Sequence, residues 1–280
     1  AMEDRNSMIR RSALPYRLAP AIVAVAVTLL GASSALAASQ FEFQDRDVSR
    51  SISIRGSCAQ CELSGRRLTG ASFVGANFTG ALLVGADLRG ANIVGSNFSN
   101  ADLTRADLRG AELVGSRFSN ASLVQTRLEG VEAQGANFAG ANLTRARLAG
   151  AELMGARLSR VRASEADMSG AELTGADMAL GDFTRVNFDG ATLATARLSQ
   201  SSFVGASFAE ADLTRADIRG ADLSRARGLT QSQLNRACAD GTTRLPRGLT
   251  AVSCGGGRAG IPRPVAPPRP YFAAALADVD

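Results

Sequence analysis

The chain has 280 residues and a formal charge of +5, with four cysteines and no histidine, lysine or tryptophan. The lack of histidine excludes imidazole general-base chemistry and histidine metal sites. The basic excess lies in the flanks: between Cys61 and Arg225, 17 arginines meet 18 acidic residues, a net of −1, so the basic stripe that marks a nucleic-acid binder is missing.

At the N-terminus, Arg5, Arg10, Arg11 and Arg17 precede an almost wholly apolar stretch over residues 18–31, and Ala35-Leu36-Ala37 forms an A-x-A cleavage site. This order predicts a secretory signal peptide over residues 1–37 and an exported chain, periplasmic or secreted, that starts at Ala38. The apolar stretch is shorter than the roughly 20 residues a bilayer span needs, so no stable membrane span is expected after cleavage. Residues 38–60, with Phe41, Phe43, Ile52 and Ile54, are expected to form an N-terminal cap over the repetitive region that begins at residue 61.

From Leu63 to Leu223 a hydrophobic residue occupies every fifth position, 33 times in succession, and only Ala133 and Ala163 among them are as small as alanine. A small residue stands two places before most of these centres, and glycine often stands two places after. Five fits neither the 3.6-residue period of a helix nor the period of two of a simple strand. It does fit a short extended segment that points the small residue and the centre inward and the residue between them outward, with a bend after it that favours glycine. Coiling such units gives a solenoid.

Like residues recur at intervals of twenty. Phe78, Phe98, Phe118 and Phe138 do so, as do Glu112, Glu132, Glu152 and Glu172. This interval implies four units per coil and hence four faces. Arg157, Asp177, Arg197 and Asp217 alternate in sign at the same interval, as cross-strand neighbours are expected to do. Eight coils at about 4.8 Å each make a rod of about 40 Å.

Units such as those in ADLTRADLRGAEL, from Ala101 to Leu113, closely resemble the pentapeptide-repeat protein family, and the resemblance covers the array over residues 61–227. It implies an all-β fold, a right-handed quadrilateral β-helix with the centres and small residues filling the interior. The segment GLTQSQLNRACADGTTRLPRGL, from Gly228 to Leu249, resembles the tail that often succeeds such repeats, without its final tryptophan. The family has no single activity. Its DNA-mimicking, topoisomerase-binding members present a strongly acidic rod, which this near-neutral array is not.

Beyond the array, residues 228–254 are expected to form a C-terminal cap. Thr230 and Gln233 have capping-box spacing, which predicts a short helix from about Gln231 to Cys238 that lays Leu234 over the last coil. Residues 255–280 read as a Gly/Pro-rich disordered tail. Cys58 and Cys61 fall at one end of the rod and Cys238 and Cys254 beyond the other, so one protomer cannot gather a four-cysteine zinc site. Local disulfides, Cys58 with Cys61 and Cys238 with Cys254, are the expectation for an exported chain.

The resulting expectation is a non-enzymatic scaffold, structural or protein-binding, without catalytic residues, metal or cofactor. Its partner is another protein or a second copy of itself, and nucleic acid is not expected. Glu112, Glu132, Glu152 and Glu172, with Val114 and Met154 beside them, form the candidate partner-binding stripe. Arg105, Arg145, Arg185 and Arg225 recur every forty residues on another edge, separated by Gln125 and Glu165. Two other readings stay open: a topoisomerase-binding DNA mimic, and an envelope thiol oxidoreductase acting through Cys58 and Cys61.

Overall fold

The computed structural model describes residues 56–254. The signal segment, the greater part of the N-terminal cap with Phe41, Phe43, Ile52 and Ile54, and the tail from residue 255 lie outside the described residues. The array is a right-handed quadrilateral β-helix. Its register is uniform: parallel bridges join residues twenty apart, from Ser57 with Asn77 to Ser207 with Arg227. All 33 centres from Leu63 to Leu223 are buried.

The unit Ala141–Arg145 shows why five residues suffice. The Asn142 N–H donates to the Ala121 carbonyl in the preceding coil at 2.9 Å, and the Leu143 and Arg145 N–H groups donate to the next coil, to Arg162 at 2.6 Å and Ser164 at 3.0 Å. The Ala141 N–H closes the preceding corner on the Phe138 carbonyl at 2.9 Å. That leaves the Thr144 N–H without a main-chain acceptor. The Asn142 side chain takes it, Oδ1 accepting at 3.1 Å, and satisfies a backbone donor that would otherwise depend on solvent. The same bond recurs at Thr104 onto Asp102, Ser169 onto Asp167, Thr184 onto Asp182 and Ser224 onto Asp222. Aspartate or asparagine at the outward position therefore completes the backbone of its own corner.

From Gln60 to Gly220 each corner turns through a residue with positive φ. Glycine fills many of these places, but Arg145 (57°), Leu180 (62°) and even the β-branched Thr195 (56°) adopt the same conformation. Non-glycine residues rarely do so. The uniform ladder on both sides of every corner leaves the chain no alternative path.

Inside, like stacks on like. The rings of Phe78, Phe98, Phe118 and Phe138 lie within 10° of parallel, with centroids 4.6 to 5.1 Å apart. A second pair of stacks joins Phe183 to Phe203 and Phe188 to Phe208. The two small centres are compensated locally. Ala133 comes after Val131 and Ala163 after Val161, so within each unit the large and small inward positions are exchanged, and all four side chains are buried. At Gly181 a Cβ would fall 2.4 Å from the Phe183 ring, which explains glycine at an inward place that alanine usually holds. Buried hydroxyls are satisfied in a repeated manner: Ser116, Thr126 and Ser201 donate to the carbonyls of Ile93, Leu103 and Met178, each 23 residues back, at 2.6 to 2.8 Å.

The helix at the C-terminal end, α1 (Gln231–Leu234), is shorter than the predicted Gln231–Cys238. It stops because the chain must rejoin the ladder: the Arg236 and Cys238 carbonyls accept from Arg215 and Ile218 at 2.7 and 2.8 Å, and the Cys238 N–H donates to Ala216. The Thr230–Gln233 capping box is formed. Gln233 does more, its Nε2 donating to the Phe208 and Ala211 carbonyls of the last coil at 2.9 and 2.8 Å. Leu234 is fully buried. Among the described residues no helix is long and apolar enough to cross a membrane.

Two variants separate the two sources of stability. Phe118→Ala opens a cavity in the middle of a ring stack and should cost about 3–5 kcal/mol. Asn142→Ala removes only the corner cap and should cost about 1 kcal/mol. Urea unfolding monitored by circular dichroism measures both; equal losses would contradict the assignment of the corner bond as a secondary contribution.

Candidate functional site

The candidate sites are columns of outward side chains set in register by the coils. Glu112, Glu132, Glu152 and Glu172 are consecutive bridge partners, which places four carboxylates in one row at about 4.8 Å intervals. Glu132 and Glu152 are exposed, and Glu112 and Glu172 are half-buried. Between Asn92 and Thr195 no arginine occupies an outward position of this face. The donors to the row are neutral: Asn92 Nδ2 reaches Glu112 at 2.8 Å, Gln134 donates its amide to Glu152, and Thr174 donates its backbone N–H to Glu172 at 3.1 Å. No arginine is paired with the row among the described residues. Met154, 47% exposed, stands beside it, with half-buried Val94 and Val114 in the same column.

Apart from Arg215 in the coil beyond Thr195, the arginines of the array stand on other faces. Arg145 and Arg185 both pair with Glu165, at 2.8 and 3.5 Å, and Arg105 Nε donates to Gln125 at 3.0 Å, so the forty-residue spacing is a ladder in which an acceptor coil alternates with an arginine coil. A second network runs along the face of Asp87. Arg89 and Arg109 pair at 2.7 Å with Asp87 and Asp107, and Glu129 is approached by Arg147 at 2.9 Å and Arg127 at 3.8 Å. The alternating column at Arg157 is bridged in register as expected, yet its charges find partners inside their own units: Asp217 takes Arg219 at 2.7 Å and Arg197 donates to Ser199. A neighbour two residues away across a corner is easier to reach than one in the next coil.

The cysteines lie in two local pairs. Cys58 and Cys61 span the first described corner with Cα atoms 5.2 Å apart, and Cys238 and Cys254 are 5.4 Å apart. The second pair ties residues 252–254 to the last partial coil, where the Ala239 N–H donates to Val252 and the Cys254 N–H to Ala239. Among the described residues no group of histidine, cysteine, aspartate or glutamate is arranged to hold a metal.

Several aspartates are held below their ordinary pKa. The Arg89 side chain, bonded to Asp87, lowers that carboxyl from 3.8 to about 2. The Thr242 hydroxyl and amide and the Gly220 amide do the same for Asp240, again to about 2. Asp107 is lowered by Arg109 and Asp212 by Thr214.

The model of the pentapeptide repeats family matches residues 57–93, 81–120, 121–160, 151–190 and 193–227, in eight copies. The chain belongs to the pentapeptide repeat family. Among solved pentapeptide repeat structures, HetL from the cyanobacterium Nostoc sp. strain PCC 7120, involved in heterocyst differentiation regulation, is 30% identical to it. The match covers 68% of this chain and 83% of HetL, with a TM-score of 0.29. QnrB1, a plasmid-mediated fluoroquinolone resistance protein, is 19% identical over 69% of this chain and 92% of its own, with a TM-score of 0.39. No curated protein matches the chain. In this pentapeptide repeat protein, the sequence signal for the corner caps recurs along the array, as aspartate or asparagine directly before many of the centres. Reading it needed the register that exposes one N–H per unit.

Acid stability and cysteine linkage are both measurable. Because these aspartate pKa values are depressed in the folded state, their stabilisation is complete above the ordinary value near 4 and is lost as pH falls through the folded value, about 2 for Asp87 and Asp240. Thermal melts should therefore give a flat midpoint from pH 5 to 7 and a decline between about pH 4 and pH 2. Non-reducing peptide mapping of the protein from its native compartment should recover Cys58 linked to Cys61 and Cys238 linked to Cys254; free thiols throughout, or links only between chains, would contradict the pairing.

Proposed function

We propose that this pentapeptide repeat protein is an exported, non-enzymatic scaffold that holds a basic protein partner along its glutamate face. The carrying observation is the row itself: four carboxylates in register, with neutral donors, no arginine on the face between Asn92 and Thr195, and apolar side chains alongside at Val114 and Met154. A β-helix presents such a row on a backbone that is already ordered before binding, which lowers the entropic cost of association. The rest of the rod carries its charges in mixed-sign networks, so negative potential is concentrated on one side although the array is near neutral.

Export rests on the order of the N-terminal signals and on local cysteine pairing, which suits an oxidising compartment. The thiol oxidoreductase reading is less favoured because Cys58, at a centre position, is only 4% exposed, whereas an exchanging thiolate needs access. The topoisomerase reading is opposed by the proposed export and by the near-neutral array.

The test is the double substitution Glu132→Gln and Glu152→Gln, which removes two exposed charges with almost no change of shape. The variant should fold with equal or slightly greater stability, because like charges in direct cross-strand contact repel. Its association with the partner captured from an envelope extract should slow, and the salt dependence of that association should flatten. Undiminished binding at low salt would overturn the assignment of the face. An intact N-terminus in a cytosolic fraction, read by mass spectrometry, would overturn the export.

A further inference from the structure

A depression of about 460 Å³ lies on a different side of the rod, lined by Arg185, Asn187, Asp189, Ser207 and Arg227 around the inward-pointing Val186. Its origin is legible in the register. Asn187, Ser207 and Arg227 are successive bridge partners in one column, and the middle coil carries small residues at both relevant places, Gly205 at the corner and Ser207 on the face. The coils on either side carry longer side chains. The result is a notch one coil wide, with Arg185 and Asn187 on one wall and Arg227 on the other, two coils or about 9.6 Å apart.

The state of the polar groups points to a ligand type. Arg185, whose side chain is 71% exposed, makes one long contact of 3.5 Å through Nη1 to Glu165, which already binds Arg145 at 2.8 Å. Its stem lies over the bare corner, with Cγ 3.4 Å from where a Gly205 Cβ would stand. Arg227 is exposed and forms no ion pair among the described residues. Asp189 also lines the notch and is bonded across it, its Oδ1 accepting the Ser207 hydroxyl at 2.5 Å and the Ala209 N–H at 2.9 Å, and it forms no ion pair with either arginine. Five arginines elsewhere, Arg89, Arg109, Arg145, Arg147 and Arg219, are held by acids at 2.9 Å or closer. Others such as Arg117 and Arg157 form no ion pair among the described residues, so what distinguishes Arg185 and Arg227 is that they line one notch together. Guanidinium pairs recognise carboxylates and phosphates through parallel N–H bonds.

We propose that this notch is an oxyanion site in which Arg185 and Arg227 close from opposite walls on a phosphate or carboxylate group. It is independent of the glutamate face and opposite to it in sign.

The probes are inorganic phosphate and succinate, each titrated into the isotopically labelled protein while the arginine Nε–Hε resonances are tracked by NMR. The site predicts saturable shifts at Arg185 and Arg227 and none at Arg105, which lies four coils away on the same corner column. Arg185→Gln or Arg227→Gln should weaken binding by about tenfold, as expected for loss of one charge-assisted bond. Arg105→Gln should leave it unchanged and serves as the surface-charge control. Shifts with phosphate alone assign a phosphate site, and with succinate alone a carboxylate site. No saturable shift with either probe, or equal weakening by Arg105→Gln, overturns the proposal. Folding is not at issue, because all three arginines are solvent-facing and circular dichroism checks each variant.

Discussion

The structure depends on one requirement: a five-residue unit must find acceptors for its backbone N–H groups while the chain turns a corner. Main-chain carbonyls in the coils before and after satisfy three and the corner bond satisfies a fourth; in the units that carry aspartate or asparagine at the outward position, that side chain accepts the fifth. Because three of these bonds reach about twenty residues away, to the coils on both sides, shifting one unit by a single residue would break pairing in two coils at once. That explains why the ladder stays uniform over residues 57–227 and why it holds leucine, threonine and arginine in a backbone conformation they would not choose.

The same register makes the interior a set of columns. A phenylalanine invites another twenty residues later because a flat ring packs best on a flat ring, and where the column changes, the exchange is made inside one unit, as at Val131 and Ala133 or Val161 and Ala163. Interiors are packed to the density of organic crystals, so a narrow tube tolerates a swap of large and small but not their sum. The ends break this logic. The last coil has carbonyls with no coil above them, and the solution is a single turn of helix whose Gln233 supplies donors while Leu234 closes the apolar floor.

Outside, the register works on function. Any residue repeated every twenty positions becomes a continuous stripe, so small changes of sequence create large, flat and chemically uniform faces. The glutamate face and the arginine ladder are two such stripes, and the notch at Arg227 is what results when a stripe is interrupted by Gly205 and Ser207. A scaffold of this kind diversifies by repainting columns, since outward side chains contribute little to the core. The exception is the outward aspartate or asparagine, which belongs to the backbone as much as to the surface.

The period, the four faces, the buried centres and the row of glutamates were all legible in the sequence, because each is a property of spacing that repetition amplifies. Other features were decided only in three dimensions. The glutamates find amide and hydroxyl donors rather than arginine, since Asn92 and Gln134 are neighbours only across coils. Asp217 prefers Arg219 in its own unit to Arg197 in the next, and α1 ends at Leu234 because the chain is drawn back into the ladder by Ala216 and Ile218. Spacing determines which residues share a column. Which side chains then bond, and where a gap opens between them, is decided by reach and competition across neighbouring coils, and those distances exist only once the chain is wound.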